Sequence, residues 1–170
     1  RNPRILWKCL KELIKENKNF KEDFELKLIG AVSQEVLDTI AEFRLEKYVN
    51  NLGYVSHKEA VSQQRSSQVL LLVEIDSEIT KSIIPGKLFE YMVSERPILA
   101  LGPENSDFET IIKSTNTGVF HLYDEYDELK LTILEFYKKY KTQTLEVNAI
   151  GLQQYSRKNL TKQLAEVINS

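Results

Sequence analysis

One cysteine is all the chain has, and a lone thiol, Cys9, rules out an intramolecular disulfide and any cysteine-based metal cluster. It sits in a helical pattern beside Trp7 and Leu10, where an inert, partly buried thiol is expected. The two histidines, His57 and His121, stand far apart without carboxylates at metal-ligand spacing, so each reads as structural and a metal site is not expected. The longest apolar run, Val69 to Val73, is far too short to cross a bilayer, and no signal-peptide pattern opens the chain. A reducing cytoplasm is therefore the expected compartment. A net charge of −2 leaves no global basic field to draw nucleic acid or anionic lipid. No Gly-x-Ser-x-Gly elbow, Walker phosphate loop or Gly-x-Gly-x-x-Gly fingerprint occurs. Six glycines and four prolines in 170 residues, with 42% hydrophobic and 28% charged, describe one globular domain with a sizeable core.

What is present alternates between two periods. From Pro3 to Lys18 the apolar residues Ile5, Leu6, Cys9, Leu10, Leu13 and Ile14 fall three and four apart and predict a helix. Leu26 to Val32 is a strand candidate, Gln34 to Phe43 a helix, Tyr48 to Val55 a second strand. Ser56 with Glu59 forms a capping box that opens a helix to Ser66. Val69 to Val73 is a continuous apolar run, the pattern of a strand covered on both faces, and is expected at the centre of a parallel sheet. After Glu74 to Gly86, which has no clear periodicity, come a short helix, a turn at Glu95-Arg96-Pro97 and a buried strand from Ile98 to Leu101. A helix over Asp107–Ser114, an edge-like strand over Gly118–Leu122, a long helix over Tyr126–Tyr140 and a helical end from Leu145 to Ile168, broken near Gly151, complete the chain.

Strands alternating with helices make right-handed βαβ units, a Rossmann-like α/β fold with helices on both faces of a parallel sheet. A doubly wound sheet starts with a strand that lies at its middle. Here a helix comes first, so the chain is expected to lack its natural first strand. Ligands bind beyond the carboxyl ends of such strands, where loops 53–56, 74–86 and 102–106 should converge.

The chemistry-bearing stretch is Ser82 to Gly102. Pro85-Gly86 opens a helix whose first amides lack partners, a setting suited to phosphate. Glu90, one turn in, either accepts two hydroxyls of a ribose or pairs with Lys87 three residues earlier. Lys87 is misplaced for the helix dipole unless an anion is bound. Glu74, Asp76 and Glu78 read as a solvated acidic loop in preference to a cation site.

Taken as a set, Pro85-Gly86-Lys87-Leu88-Phe89-Glu90-Tyr91-Met92 followed by Glu95-Arg96-Pro97-Ile98-Leu99-Ala100 resembles the donor-binding, C-terminal domain of GT-B glycosyltransferases of the large retaining group called family four. Arg1-Asn2-Pro3, Leu28-Ile29-Gly30, Gly53-Tyr54-Val55-Ser56-His57 and Val69–Val73 agree in order, so the resemblance covers nearly the whole chain. It implies that Glu90 holds the nucleotide ribose, that Ser82 stands where the family has a first Glu, and that the backbone of Ile83, Ile84, Pro85 and Gly86 faces donor sugar and diphosphate. It implies also that Gly53, Tyr54 and Val55 border the base, that Arg1 and Lys87 stabilise the diphosphate, and that Asn2 replaces a lysine. The reaction so implied is retaining, metal-free transfer of a sugar from a nucleotide diphosphate sugar, with no cofactor. The acceptor, a glycan or lipid-linked glycan, would bind an N-terminal domain, and the full-length enzyme would work in the cytoplasm or at the inner membrane surface. The alternatives are a GT-B-related nucleotide-sugar epimerase domain, which needs acid and base groups not clustered here, and a non-enzymatic flavodoxin-like interaction module, which needs an acidic pair early in the chain.

Overall fold

A computed structural model describes residues 1–168. The first helix, α1 (Arg4–Glu16), follows Pro3 and buries Leu6, Trp7, Cys9, Leu10 and Leu13 along one stripe. It stops two residues short of the expected end. Asn17 adopts extended dihedrals, and its side chain accepts a hydrogen bond from the Phe20 amide, which starts a separate short helix, α2 (Lys18–Asp23).

Five short strands follow: β1 (Leu26–Ile29), β2 (Val49–Gly53), β3 (Leu70–Val73), β4 (Ile98–Leu101) and β5 (Gly118–His121). β1 and β2 end at Gly30 (φ 96°) and Gly53 (φ 63°), a backbone region that disfavours side chains. The crossovers are filled by α3 (Gln34–Glu42), α4 (His57–Ser66), α5 (Lys87–Met92), α6 (Asp107–Thr115) and, after β5, α7 (Tyr126–Lys141). Ser56 caps α4 by accepting from the Glu59 amide, as its sequence pattern predicts, and Ser106 caps α6 through the Glu109 amide.

All strand pairs are parallel and the architecture is Rossmann-like α/β. The sheet differs from expectation in one respect. It is split into a two-stranded part, β1-β2, and a three-stranded part, β3-β4-β5. β4 is the central strand of its sheet and every residue in it is buried, whereas β3, expected at the centre, is an edge strand bonded only to β4. An apolar run reports that helices cover both faces of a strand, not how many neighbours it pairs with.

Side chains alternate between two cores. Leu99 and Leu101 of β4 join the α1 stripe, Phe20, Ile40, Leu45, Leu129 and Ile133 in one cluster, against which Leu26, Leu28, Leu71 and Val73 also pack. Ile98, Ala100 and Leu72 face the other way, onto Leu88 and Met92 of α5 and Phe108, Ile111 and Ile112 of α6. Cys9 is fully buried, donates to the Tyr126 carbonyl and is pushed up to about 12 in pKa chiefly by burial, so it is the inert thiol expected. The C-terminal segment is less helical than its sequence pattern suggests. Residues 145–150 form neither helix nor strand and are pinned to the end of α6 by Ile150 N–H···O=C Thr115 and by Asn116 Nδ2 to the Asn148 carbonyl. Only after Gly151 do a 3-10 turn (Leu152–Tyr155) and α8 (Arg157–Ile168) form.

Gly118 tests how closely β4 and β5 must approach. A Cβ there would overlap the Ile98 carbonyl oxygen, a backbone atom that cannot rotate away. Gly118→Ala should destabilise the fold by about 3 kcal/mol in urea titration, the high end of an overpacking change; a loss below about 0.5 kcal/mol would mean that β5 slides freely along β4.

Candidate functional site

The carboxyl ends of the strands carry the groups singled out by sequence, and three local networks fix them. At the end of β3, Glu74 is fully buried although it is charged. Arg1 Nε and Nη2 donate to its two carboxylate oxygens at 2.9 and 2.7 Å, the Ile75 amide donates to Oε1 at 2.9 Å, and the Tyr123 hydroxyl donates to its carbonyl at 2.7 Å. A two-pronged guanidinium–carboxylate bond is the geometry in which an ion pair is most tightly oriented. Burial, followed by the charges of Asp76 and Glu74, pushes the Tyr123 phenol up to about 12, so it stays a donor at neutral pH. Arg1 keeps 55% of its side chain exposed, and only two of its five N–H donors point at Glu74.

Asn2 has a different fate from the one the resemblance implies. Its Nδ2 donates to Thr39 Oγ1 at 2.8 Å, and its Oδ1 accepts from Trp7 Nε1 at 3.0 Å. The side chain therefore clamps α1 to α3, with its donors turned into the protein.

The loop from Glu74 to Gly86 is built, not loose. Thr80, buried in a 3-10 turn over Glu78–Thr80, donates through its hydroxyl to the Ile75 carbonyl at 2.6 Å, with the Ser77 carbonyl at 2.8 Å. The Lys81 carbonyl accepts from the Asp107 amide at 2.8 Å, which ties this loop to 102–106 as expected. Its acidic residues do not act together. Glu74 is buried on Arg1, Glu78 pairs with Lys81 at 2.7 Å, and among the described residues no group of three His, Cys, Asp or Glu side chains could hold a metal ion. The expectation of a solvated acidic loop thus fails at Glu74, whose place is set by Arg1 from the far end of the sequence.

Ser82, Ile83, Ile84, Gly86 and Lys87 are exposed and Pro85 is buried. α5 has six residues and no side-chain cap, so few peptide dipoles add at its start. Lys87 makes no ion pair among the described residues, and neither does Glu90. The Lys87–Glu90 pair considered from the sequence is therefore not formed. Instead Glu90 Oε2 accepts from Gln64 Nε2 of α4 at 3.3 Å. Together with His57, Val61, Arg65, Val93 and Ser94 they line a groove of about 90 Å³ between α4 and α5. Gly53, Tyr54 and Val55 lie at the end of β2, in the other part of the sheet, and Tyr54 is 86% exposed.

The two histidines diverge. His121 is buried, with Nδ1 3.2 Å from Glu125 Oε2 and Nε2 2.9 Å from Thr132 Oγ1, and it is structural as expected. His57 is exposed and shares the groove with Glu90. Sequence spacing had no means of placing His57 or Gln64 there, since α4 and α5 meet only through the fold. Tyr123 was missed for the same reason: it reaches Glu74 across 49 residues. No family model matches the chain, and no curated protein matches it.

Two of these contacts have measurable consequences. Arg1→Ala leaves a fully buried carboxylate without its cation and should cost about 2 kcal/mol in urea titration; an unchanged midpoint would make the pair a solvated contact. Burial lowers the pKa of His121, against a smaller upward pull from Glu125. The unfolded state therefore binds the proton first as pH falls, so stability from this group is full above about pH 6.5 and declines below it. His121→Gln should flatten the fall in melting temperature between about pH 6.5 and 5, and an identical slope in both proteins would contradict it.

Proposed function

We propose that this chain is the donor-binding half of a glycosyltransferase that moves a sugar from a nucleotide diphosphate sugar to an acceptor hydroxyl with retention and without a metal. One observation carries the reading. Among the described residues, Glu90 presents its carboxylate in an open groove with no cation within ion-pair distance, and Lys87, one turn nearer the loop, forms no ion pair either. An unneutralised carboxylate accepts both hydroxyls of a ribose, and an unpaired ammonium next to exposed loop backbone suits the diphosphate that follows it. Gln64, which now donates to Glu90, would then share that carboxylate with the ribose.

Leaving-group stabilisation is the chemical task. As the sugar–oxygen bond breaks, negative charge grows on the diphosphate, and cations fixed before the reaction lower that barrier. Lys87 supplies one. Arg1 supplies a second, its orientation set by the buried Glu74 while its remaining donors face solvent. Because α5 is short, these side chains contribute more than its dipole. Ser82 offers a hydroxyl to the donor sugar where a charged group would bind it more strongly. The exposed ring of Tyr54 and the neighbouring Gly53 and Val55 border the base.

A groove of about 90 Å³ is far below the several hundred that enclose a ligand of this size. The domain therefore forms one wall of the site; a second domain, also carrying the acceptor glycan or lipid-linked glycan, forms the other. Weak binding and negligible turnover follow for the chain alone. No helix among the described residues is long and apolar enough to cross a membrane.

Thermal melts with UDP, GDP and their sugars test the reading, because a ligand that binds only the native state raises its melting temperature. At least one of them should do so, and Glu90→Ala should weaken that response about tenfold or more while its ligand-free melt stays unchanged. No response to any nucleotide overturns the proposal; a Glu90→Ala chain that unfolds without ligand makes Glu90 structural.

A further inference from the structure

The turn between α5 and β4 lies at the amino ends of β3 and β4, where the Leu70 amide donates to the Pro97 carbonyl. This is the edge of the sheet away from Glu74 and Arg1. Between that turn and the last turn of α4 is a cavity of about 300 Å³ lined by Arg65, Val93, Ser94, Glu95 and Arg96. Its volume falls at the lower end of those that hold small molecules.

Arg96 is fixed from two directions. Its amide donates to Ser94 Oγ at 3.2 Å, a hydroxyl that donates in turn to the Tyr91 carbonyl at 2.6 Å, and its Nε donates to the Arg65 carbonyl at 2.9 Å. Among the described residues neither Nη group of Arg96 has a partner. Glu95, just before it, has left-handed backbone (φ 62°), a conformation that persists in such a residue only where its surroundings impose it. The Glu95 amide has no acceptor among the described residues. Arg65 brings a second guanidinium that, among the same residues, donates no hydrogen bond and forms no ion pair.

Helix C-termini attract cations, and the end of α4 accounts for Arg96 in that way. It does not account for Arg65. The last carbonyls of α4 already have donors: the Ser66 and Ser67 hydroxyls on Gln63, Arg96 Nε on Arg65, and Gln68 Nε2 on Ser66. Two guanidinium groups therefore line one cavity, and its only acid, Glu95, forms an ion pair with neither.

We propose that this cavity binds the phosphate group of a small phosphorylated metabolite. Guanidinium forks match phosphate oxygens two at a time, and a dianion balances the two positive charges. The Glu95 amide adds a donor held in place by the turn. The cavity exceeds what a phosphate alone fills, and the exposed Val93 gives the body of the ligand an apolar surface. Lys87 and Arg1 are not among the lining residues, so this site is distinct from the edge assigned to the nucleotide.

The test is a nuclear magnetic resonance titration with inorganic phosphate and with glycerol phosphate, each at constant ionic strength against chloride, read at the amides of Arg65, Ser94, Glu95 and Arg96. Arg65→Gln is the variant, because Arg65 is exposed whereas Arg96 also serves the end of α4. Both phosphates should give saturable shifts at these amides, the ester at lower concentration, and Arg65→Gln should weaken both about tenfold with an unchanged ligand-free melt. Shifts no larger than chloride gives, an ester that binds no better than phosphate, affinity untouched by Arg65→Gln, or a variant that melts early without ligand would overturn the proposal.

Discussion

The apolar stripe of α1 is the interaction on which the rest of this structure depends. The two parts of the sheet share no backbone hydrogen bond, and what makes them one body is that Leu6, Trp7, Leu10 and Leu13 pack in a single cluster with residues of both. Each such leucine is worth about 2–5 kcal/mol when truncated, against about 5–15 kcal/mol for a whole domain. The position of α3, whose Ile40 joins the same cluster, rests on that helix. Asn2 reinforces it by linking Trp7 to Thr39 at the helix start.

The same end of α1 delivers Arg1 to the carboxyl end of β3. A buried carboxylate at the end of an apolar strand is costly unless a cation and amides satisfy it, and Glu74 has Arg1 and the Ile75 amide. The arrangement orients a half-exposed guanidinium at the mouth of the sheet. Structure and proposed chemistry meet here: the group that neutralises Glu74 is one of the two cations suited to a diphosphate.

How far the sequence foretold this differs by element. Strand and helix positions were readable because the α1 stripe and the Val69–Val73 run each carry one clear period, and Ser56 announces its helix by a cap. The stop at Asn17 was not, since one side-chain hydrogen bond decides it. The rank of β3 in the sheet was misjudged, because apolarity records coverage of faces and is blind to edges. In the site, Glu90 and Lys87 were visible from their place after Pro85-Gly86. Gln64, His57 and Tyr123 were not, for they join the site through packing between elements far apart in the chain. Glu74 seemed one of three solvated carboxylates until its partner proved to be the first residue.

The proposed function requires the edge from Ser82 to Glu90, together with Gly53–Val55, to take a nucleotide diphosphate. The most direct measurement is a nuclear magnetic resonance titration that follows every backbone amide as a nucleoside diphosphate is added. Concentration-dependent shifts should gather at Gly53–Val55, Ile83–Glu90 and Gln64 and leave α8 unmoved. Shifts absent at saturating nucleotide, or gathered on α7 and α8 instead, would contradict it.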